Sequence, residues 1–457
     1  MARESPSTCQ NGIQTQVVHH GLIYDVQSTV ERNTMSSILT NNGAMVALQT
    51  LKSINSRLTE TQNAISTGKS VGNARDNAAV WAISKVMESD VKGFQGISDS
   101  LNLGESTVAV ARNGAETVTD LLTEMKGKIV ASQEQNVDRA KIQTDIVALR
   151  DQINAVVGAA QFNGLNLLSN RETTAGSGTV NVLASLDRSS SGVAASDIAV
   201  GKKDLGTTAS SVTGGTVANL TAAATLNANQ SVSLAVTPPT GAGQIFSIGL
   251  TGTDANGDNF TPADYTTGTT AADAQKIMYI ARDGDTAGDI AKGLAQAFAI
   301  YAAEEGLDTD VLNITASGNN LTVTSTVTDA TDTIAARIDT LTSPTEVTIG
   351  GGLEKLNDIN VTTDAGADAA LVSIEFMIQS AIDSAASFGS AQGRIETQSN
   401  FISSLTDSLK SGIGTLVDAN MEEASARLQA LQVQQQLGVQ ALSIANQAPQ
   451  SLLSLFR

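Results

Sequence analysis

Apolar residues recur at steps of three and four in two proline-free blocks, one toward each end of the chain. The first runs through Phe94, Ile97, Leu101, Gly104, Val108, Ala111, Ala115, Val118, Leu122, Met125 and Ile129. The second runs through Leu371, Ile374, Ile378, Ala381, Ala385, Phe388, Ile395, Ile402, Leu409, Ile413 and Leu416, with polar exceptions at Gln392, Ser399 and Thr406. An α-helix brings residues at this spacing back to one face, so each block predicts a rod with an apolar seam. At about 1.5 Å of rise per residue the rods would be roughly 50 and 65 Å long. Rods of that length cannot fold into one ball and must lie beside each other or beside other copies of the chain.

Shorter periodic stretches flank the rods. Ala44, Leu48, Leu51, Asn55, Leu58, Gln62 and Ile65 predict a helix that stops near Gly68, a suitable C-terminal glycine. After Asn420 the same style returns in Ala424, Leu428, Leu431, Gln435, Gly438, Leu442 and Ala445, with Val433, Leu437 and Ile444 on a second stripe. Seams that are wide and partly polar suit a bundle with several neighbours better than a two-stranded zipper. Between the first helix and the first rod, residues 70–82 read as a mixed stretch with a turn. Ile142, Ile146, Leu149, Ile153 and Val156 predict one more helix, which ends at the tight-turn signal Asn163-Gly164.

From about Arg171 to Gly366 the composition shifts to Thr, Ser, Gly, Asp and Ala, and Pro238, Pro239, Pro262 and Pro344 fall here. Alternating runs at 231–236 and 321–324 predict strands, the second after a turn at Gly318-Asn319-Asn320. A helix is expected between Thr286 and Ala303, with Ile290, Leu294, Phe298 and Tyr301 on one face. The chain therefore divides into 35–170, an inserted α+β domain over 171–366, and 367–457. Residues 1–34 hold the only cysteine, Cys9, and both histidines, His19 and His20, and have no sustained period. They read as a disordered, non-native upstream extension, with Met35 as the initiator. The other readings are a targeting extension or a metal-binding histidine pair, although adjacent histidines do not share a helix face.

Composition narrows the function. A formal charge of −19 argues against binding nucleic acid through its phosphates and against docking on anionic membranes. No apolar run of about 18 residues suggests a membrane span, and the start lacks a signal peptide. Without His or Cys after Arg32, the commonest general base and the thiol nucleophile are missing, and no phosphate-binding GxxxxGK[ST] loop occurs. Asp254–Asn259 imitates part of a calcium loop, but its glycine falls at the fourth place and Tyr265 stands where a bidentate Glu is needed. It reads as a plain turn. The carboxylate pairs Asp283/Asp285 and Glu304/Glu305 read as solvated surface. No catalytic, cofactor or metal site is expected, and the chain is not expected to be an enzyme.

The terminal helices carry more apolar positions than one partner can cover, and such patches mark association surfaces. A contact between different faces of identical chains builds an open helical filament when its rotation does not close. The candidate self-association residues are Leu48, Leu51, Leu58, Ile65, Leu428, Leu431, Leu437, Leu442, Leu452, Leu453 and Leu455. The candidate seam of the rods is Phe94, Ile97, Leu101, Val108, Leu122, Ile129, Ile374, Ile378, Phe388, Ile402 and Leu409.

Several short motifs point the same way. The opening Ile38-Leu39-Thr40-Asn41-Asn42 with Ala44, Leu48 and Leu51, the segment Ala74–Ala79, the hairpin Gln161–Gly164, and the ending Ala445-Asn446-Gln447 with Pro449 and 452–457 together resemble the bacterial flagellins. Arg75 and Asn77 are conservative departures from the family's Ala-Lys-Asp-Asp-Ala-Ala segment. The resemblance covers 35–170 and about 369–457. It implies a mainly α fold, a long antiparallel coiled-coil bundle from both termini, with an inserted, outward-facing variable α+β domain. It also implies terminal helices that order on assembly and unfolded export through the flagellar type III apparatus. The implied partners are other flagellin subunits, an export chaperone, and cap and junction proteins, and the implied location is the extracellular filament. In some flagellins an Arg-rich patch on the long helix is detected by an innate receptor of animal hosts; the matching stretch here, Leu122–Ile129, departs from it and predicts weak recognition. The rival reading is a hook–filament junction protein, which shares the end helices but occurs in few copies. Copy number in sheared appendages separates the two. A secreted adhesin or surface-layer protein would account for the Thr-rich middle but not for the paired end seams.

Overall fold

The structure, a computed structural model, describes residues 41–455 except 190–191, 228, 258–259, 269, 308–310 and 327–330; the side chains of 188–189 and 448–455 are also outside the description. The readings made for residues 1–40, for Asp258 and Asn259, and for the side chains of Leu452, Leu453 and Leu455 therefore lie outside the described residues. The helices are α1 (Asn42–Thr67), α2 (Ala78–Ser132), α3 (Arg139–Ala159), α4 (Ala271–Ala274), α5 (Ala287–Glu305), α6 (Asp364–Val417) and α7 (Met421–Leu455). They divide into two compact units, one built from α1 and α7 and the other spanning Asn77 to Val417.

In the first unit α1 begins where the Asn41 side chain accepts the Ala44 N–H, and it ends at Gly68 in the left-handed conformation (φ 71°). The Asn420 side chain likewise accepts the N–H groups of Glu422 and Glu423 at the start of α7. The helices pair antiparallel. Asn41 Nδ2 donates to Ala445 O, Gln435 Nε2 donates to Asn55 Oδ1, and Ala419 N–H donates to Gly68 O. Before the second unit, the Asp76 carboxylate closes a turn by accepting the N–H groups of Gly72 and Asn73.

In the second unit α2 starts at Ala78 rather than near Phe94, because Asn77 caps it by accepting the Val80 N–H at 3.2 Å. Ser84 and Val91 then extend the buried face upstream of the predicted seam. α6 likewise begins before its predicted seam. The two rods run antiparallel: Met87 lies against Gly412, Arg112 against Gly389, Lys126 pairs with Glu375, and Gln133 Nε2 donates to Asp368. Ile97, Leu101, Val108, Leu122, Ile129, Ile374, Phe388 and Ile402 are buried along this contact, and Phe94, Ile378 and Leu409 are half-buried. α3 folds back on α2, placing Ile146, Leu149 and Ile153 in the same core and pairing Lys128 with Asp145 at 2.7 Å. One window of α6 is long and apolar enough, by length and composition, to cross a membrane, contrary to the sequence expectation. Its buried residues Ile374, Met377 and Ala381 pack in the core shared with α2.

The expected tight turn is present: β1 (Gln161–Phe162) and β2 (Leu165–Asn166) flank Asn163 and Gly164, both at positive φ. β3 (Thr179–Ser189) and β4 (Gly192–Gly201) form an antiparallel pair with a register irregularity near Ala184. Val182, Ala184, Ile198 and Val200 from this pair belong to the helical core. The stretch 171–366 thus divides between two main cores. The second holds Phe246, Leu250, Leu294, Phe298 and Ile338 among its buried residues.

The remaining strands are β5 (Ser211–Thr213), β6 (Thr216–Asn219), β7 (Ala224–Leu226), β8 (Gln230–Ala235), β9 (Ile245–Thr253), β10 (Met278–Ile280), β11 (Leu312–Ser317), β12 (Asn320–Ser325), β13 (Thr333–Thr342) and β14 (Glu346–Thr348). A five-stranded sheet runs β10-β9-β13-β6, with β7 also on β13, and a three-stranded sheet runs β11-β12-β8. The predicted strands are β8 and β12, paired with Val232 opposite Val323, and Gly318 turns the chain at φ 59°. α5 carries the predicted face and starts in a capping box between Thr286 and Asp289. The Asp254 carboxylate accepts the N–H groups of Asn256, Gly257 and Phe260, which is the chemistry of a turn.

A further expectation is corrected. Asp283 and Asp285 are not solvated surface: Asp285 accepts the Tyr279 hydroxyl and the Arg282 N–H, and Asp283 accepts the Gly178 N–H. The cause is the crowding of several chain segments at this point, whose N–H groups need acceptors away from water.

Candidate assembly surface

The pairing of α1 with α7 is narrow. Leu51, Ile54, Leu58 and Ile65 on α1 and Leu428 and Leu442 on α7 are only half-buried, while Leu431 is buried. Gly438 lets the helices approach, since a Cβ there would stand 3.3 Å from Leu51 Cδ1. Beside this contact lies a second apolar set that no described residue of the unit covers. On α1 it comprises Met45, Val46 and Leu48, and on α7 it comprises Val433, Leu437, Val439 and Ile444, each more than half exposed. Val433, Leu437 and Ile444 share one helical stripe by their spacing.

The self-association candidates therefore separate by place. Leu51, Leu58, Ile65, Leu428, Leu431 and Leu442 lie toward the α1–α7 contact, and Leu48 and Leu437 lie on the open face. Met45, Val46 and Val439 were not singled out in the sequence; their positions between seam residues were the available signal. In the second unit Leu103 and Phe401 are also exposed, at 54% and 56%.

The charges of these helices set them apart from the rest of the chain. α1 carries Lys52, Arg57 and Glu60, and α7 carries Glu422, Glu423 and Arg427, so three cations balance three anions in a chain of net −19. Like-charge repulsion, which a net charge of this size brings to most surfaces, is absent from the paired helices. Apolar stripes on a neutral helix pair can bring many identical copies together. Among the described residues no group of three or more His, Cys, Asp or Glu side chains that could hold a metal ion occurs.

Comparison with known proteins identifies the family. Residues 38–173 match the bacterial flagellin N-terminal helical region and residues 372–456 match the bacterial flagellin C-terminal helical region. Flagellin A of Rhizobium meliloti is 37% identical over 425 residues, covering 93% of this chain and 100% of that protein. Flagellin FljM of Caulobacter vibrioides is 28% identical over 426 residues, covering 93% and 99%. Among solved structures, FliC from Burkholderia pseudomallei aligns at 15% identity and a TM-score of 0.29, covering 64% of this chain and 99% of that one. The flagellar hook-associated protein-3 from Legionella pneumophila aligns at 10% and 0.33, covering 73% and 98%. The chain belongs to the bacterial flagellin family.

Proposed function

We propose that the open apolar face of α1 and α7 is where copies of this chain pack against one another in the flagellar filament. The chain is a structural subunit of that filament and not an enzyme. The observation that carries the assembly surface is the exposed set Leu48, Val433, Leu437 and Ile444 on a helix pair of zero net charge. Covering each such side chain would stabilise the assembly by about 1–2 kcal/mol. Charge-rich surfaces would then be left to face water, where they keep the filament soluble.

The same numbers support folding on assembly. Among the described residues of this pair, Leu431 is the buried apolar side chain, at 5% exposure. Ordering each residue costs about 1–2 kcal/mol of chain entropy, which so small a core cannot offset alone. Neighbouring subunits would supply the missing burial. The three- and four-residue spacing of the α2 and α6 seams, together with their antiparallel course, supports reading the long helices as a coiled-coil bundle. Unfolded export, an export chaperone, and cap and junction partners belong to this proposal, as does a secreted, extracellular location.

The test is assembly itself. Residues 35–457, and versions lacking residues 42–67 or 421–457, are purified and examined by electron microscopy under polymerising conditions. The longer chain should form filaments and neither truncation should. Filaments from either truncated chain would overturn the proposal.

A further inference from the structure

The chain passes between the helical core and the strand-rich domain through residues 202–210 on the way out and 349–353 on the way back. These two segments are bonded to each other: Gly351 N–H donates to Thr208 O at 2.8 Å, Leu353 N–H to Gly206 O at 2.9 Å, and Gly352 N–H to Asp204 Oδ1 at 3.2 Å. They are also bonded to the end of the helical region, where Lys203 and Leu205 donate their N–H groups to Leu167 O and Leu168 O. The buried Asp204 accepts the Asn170 N–H at 2.7 Å. A side chain on Gly351 would collide with the Gly206 carbonyl, so the crossing has no room for one.

The loop Arg282–Asp285 reaches this crossing from the strand-rich side, between β10 and α5. It holds segments distant in sequence. Asp283 Oδ2 accepts the Gly178 N–H at 2.7 Å, Asp283 O accepts Asn170 Nδ2 at 3.0 Å, and Arg282 Nη2 donates to Gly350 O at 2.9 Å. A second layer stiffens the loop. Asp285 Oδ2 accepts the Tyr279 hydroxyl at 2.8 Å and the Arg282 N–H at 2.7 Å, and Arg282 Nη1 donates to the Tyr279 oxygen at 3.1 Å. Gly178 must lack a side chain, because a Cβ there would meet the Asp283 carbonyl oxygen. Among the described residues Asn170 Oδ1 and Arg282 Nε are buried without a hydrogen-bond partner, while Asn170 Nδ2 and the Arg282 Nη atoms are bonded.

We infer that Arg282–Asp285 is a clasp that fixes the strand-rich domain in one orientation on the helical core. α5 packs along α6, and that contact alone would leave the domain free to pivot. The clasp sits just before the first turn of α5 and grips Asn170 and Gly178 on one segment and Gly350 on another. Pivoting about the α5–α6 contact must break the grip on Asn170 and Gly178. The inference concerns the second unit and does not depend on filament formation.

Spin labels on the full chain test it. With Cys9 replaced by serine, cysteines are introduced at the exposed Thr117 on α2 and Thr315 on β11, and their distance distribution is measured by pulsed electron resonance. The parent chain should give a single narrow distance. Asn170→Ala with Asp283→Ala should lose it, as should Gly178→Ala alone, while Asp283→Asn, which keeps a side-chain acceptor, should retain it. A broad distribution in the parent, or a narrow one in both disrupting variants, overturns the inference. If both variants lose their far-ultraviolet ellipticity, the loop holds the fold rather than the orientation, and the inference fails equally.

Discussion

Gln435 of α7 donates a hydrogen bond of 2.7 Å to the side-chain oxygen of Asn55 on α1, joining two polar positions that interrupt otherwise apolar seams. Asn55 is exposed and Gln435 half-buried in this pair, and once neighbouring subunits cover it such a polar contact costs stability but fixes which residues face each other. Replacing both with leucine should therefore raise the temperature at which assembled filaments fall apart and at the same time blur the helix register. Melting of filaments followed by circular dichroism reads the first effect, and diffraction from filament images reads the second. Unchanged lattice order in the double variant would mean that register is set elsewhere.

Gly104 and Val182 make the next prediction. A Cβ on Gly104 of α2 would stand 2.5 Å from Val182 Cγ1 of β3, so the hairpin rests on the bare helix backbone. Gly104→Ala gains about 1 kcal/mol of helix propensity, but overpacking typically costs about 1–3 kcal/mol. The expected result is a fall in melting temperature of about 2–5 °C. Adding Val182→Ala should return most of it. A rise in stability on Gly104→Ala alone would show that the hairpin yields freely.

The contrast between these two contacts explains what the sequence could disclose. Asn55 and Gln435 stand out because each breaks a repeating pattern, and repeats also located α1, the two long helices and α7. Gly104 follows the seam spacing like its apolar neighbours, so nothing signals that a strand pair settles over it. Helix starts were similarly hidden: α2 begins at Ala78 because one side chain, Asn77, caps it, a local event with no period. The partners of Asp283 lie more than 100 residues away along the chain, and hydrogen bonds across that separation leave no trace in spacing. The two stripes on α7 were legible, whereas their division into covered and open faces depended on how tightly Gly438 draws in α1.

The stretch Leu122–Ile129 bears on host recognition. Its Lys126 is paired with Glu375 of α6 and its Lys128 with Asp145 of α3, while Leu122, Met125 and Ile129 are buried. Its cations already have partners and its apolar residues are inside the bundle. Purified filaments should therefore activate the innate receptor for flagellin only weakly in a reporter-cell assay. Strong activation would refute this.

Acidity should stabilise the strand-rich domain. Burial pushes the carboxyl of Asp285 above its ordinary value, against the hydrogen bonds from the Arg282 N–H and the Tyr279 hydroxyl. Burial likewise raises that of Asp339, whose Oδ2 finds no hydrogen-bond partner among the described residues, against its ion pair with Arg337. A carboxyl with a raised folded-state value binds its proton more readily in the folded chain than in the unfolded one. Its contribution to stability is full below the unfolded value of about 3.9 and is lost as pH climbs through the folded value. Lowering the pH from neutral toward the usual carboxylate range should thus raise the melting temperature of this domain. Reduced self-repulsion would act in the same direction, so the decisive quantity is the slope relative to Asp339→Asn, which keeps an acceptor for Arg337 but cannot titrate. That variant should show a flatter dependence on pH, and an identical slope in both chains would remove Asp339 from the account.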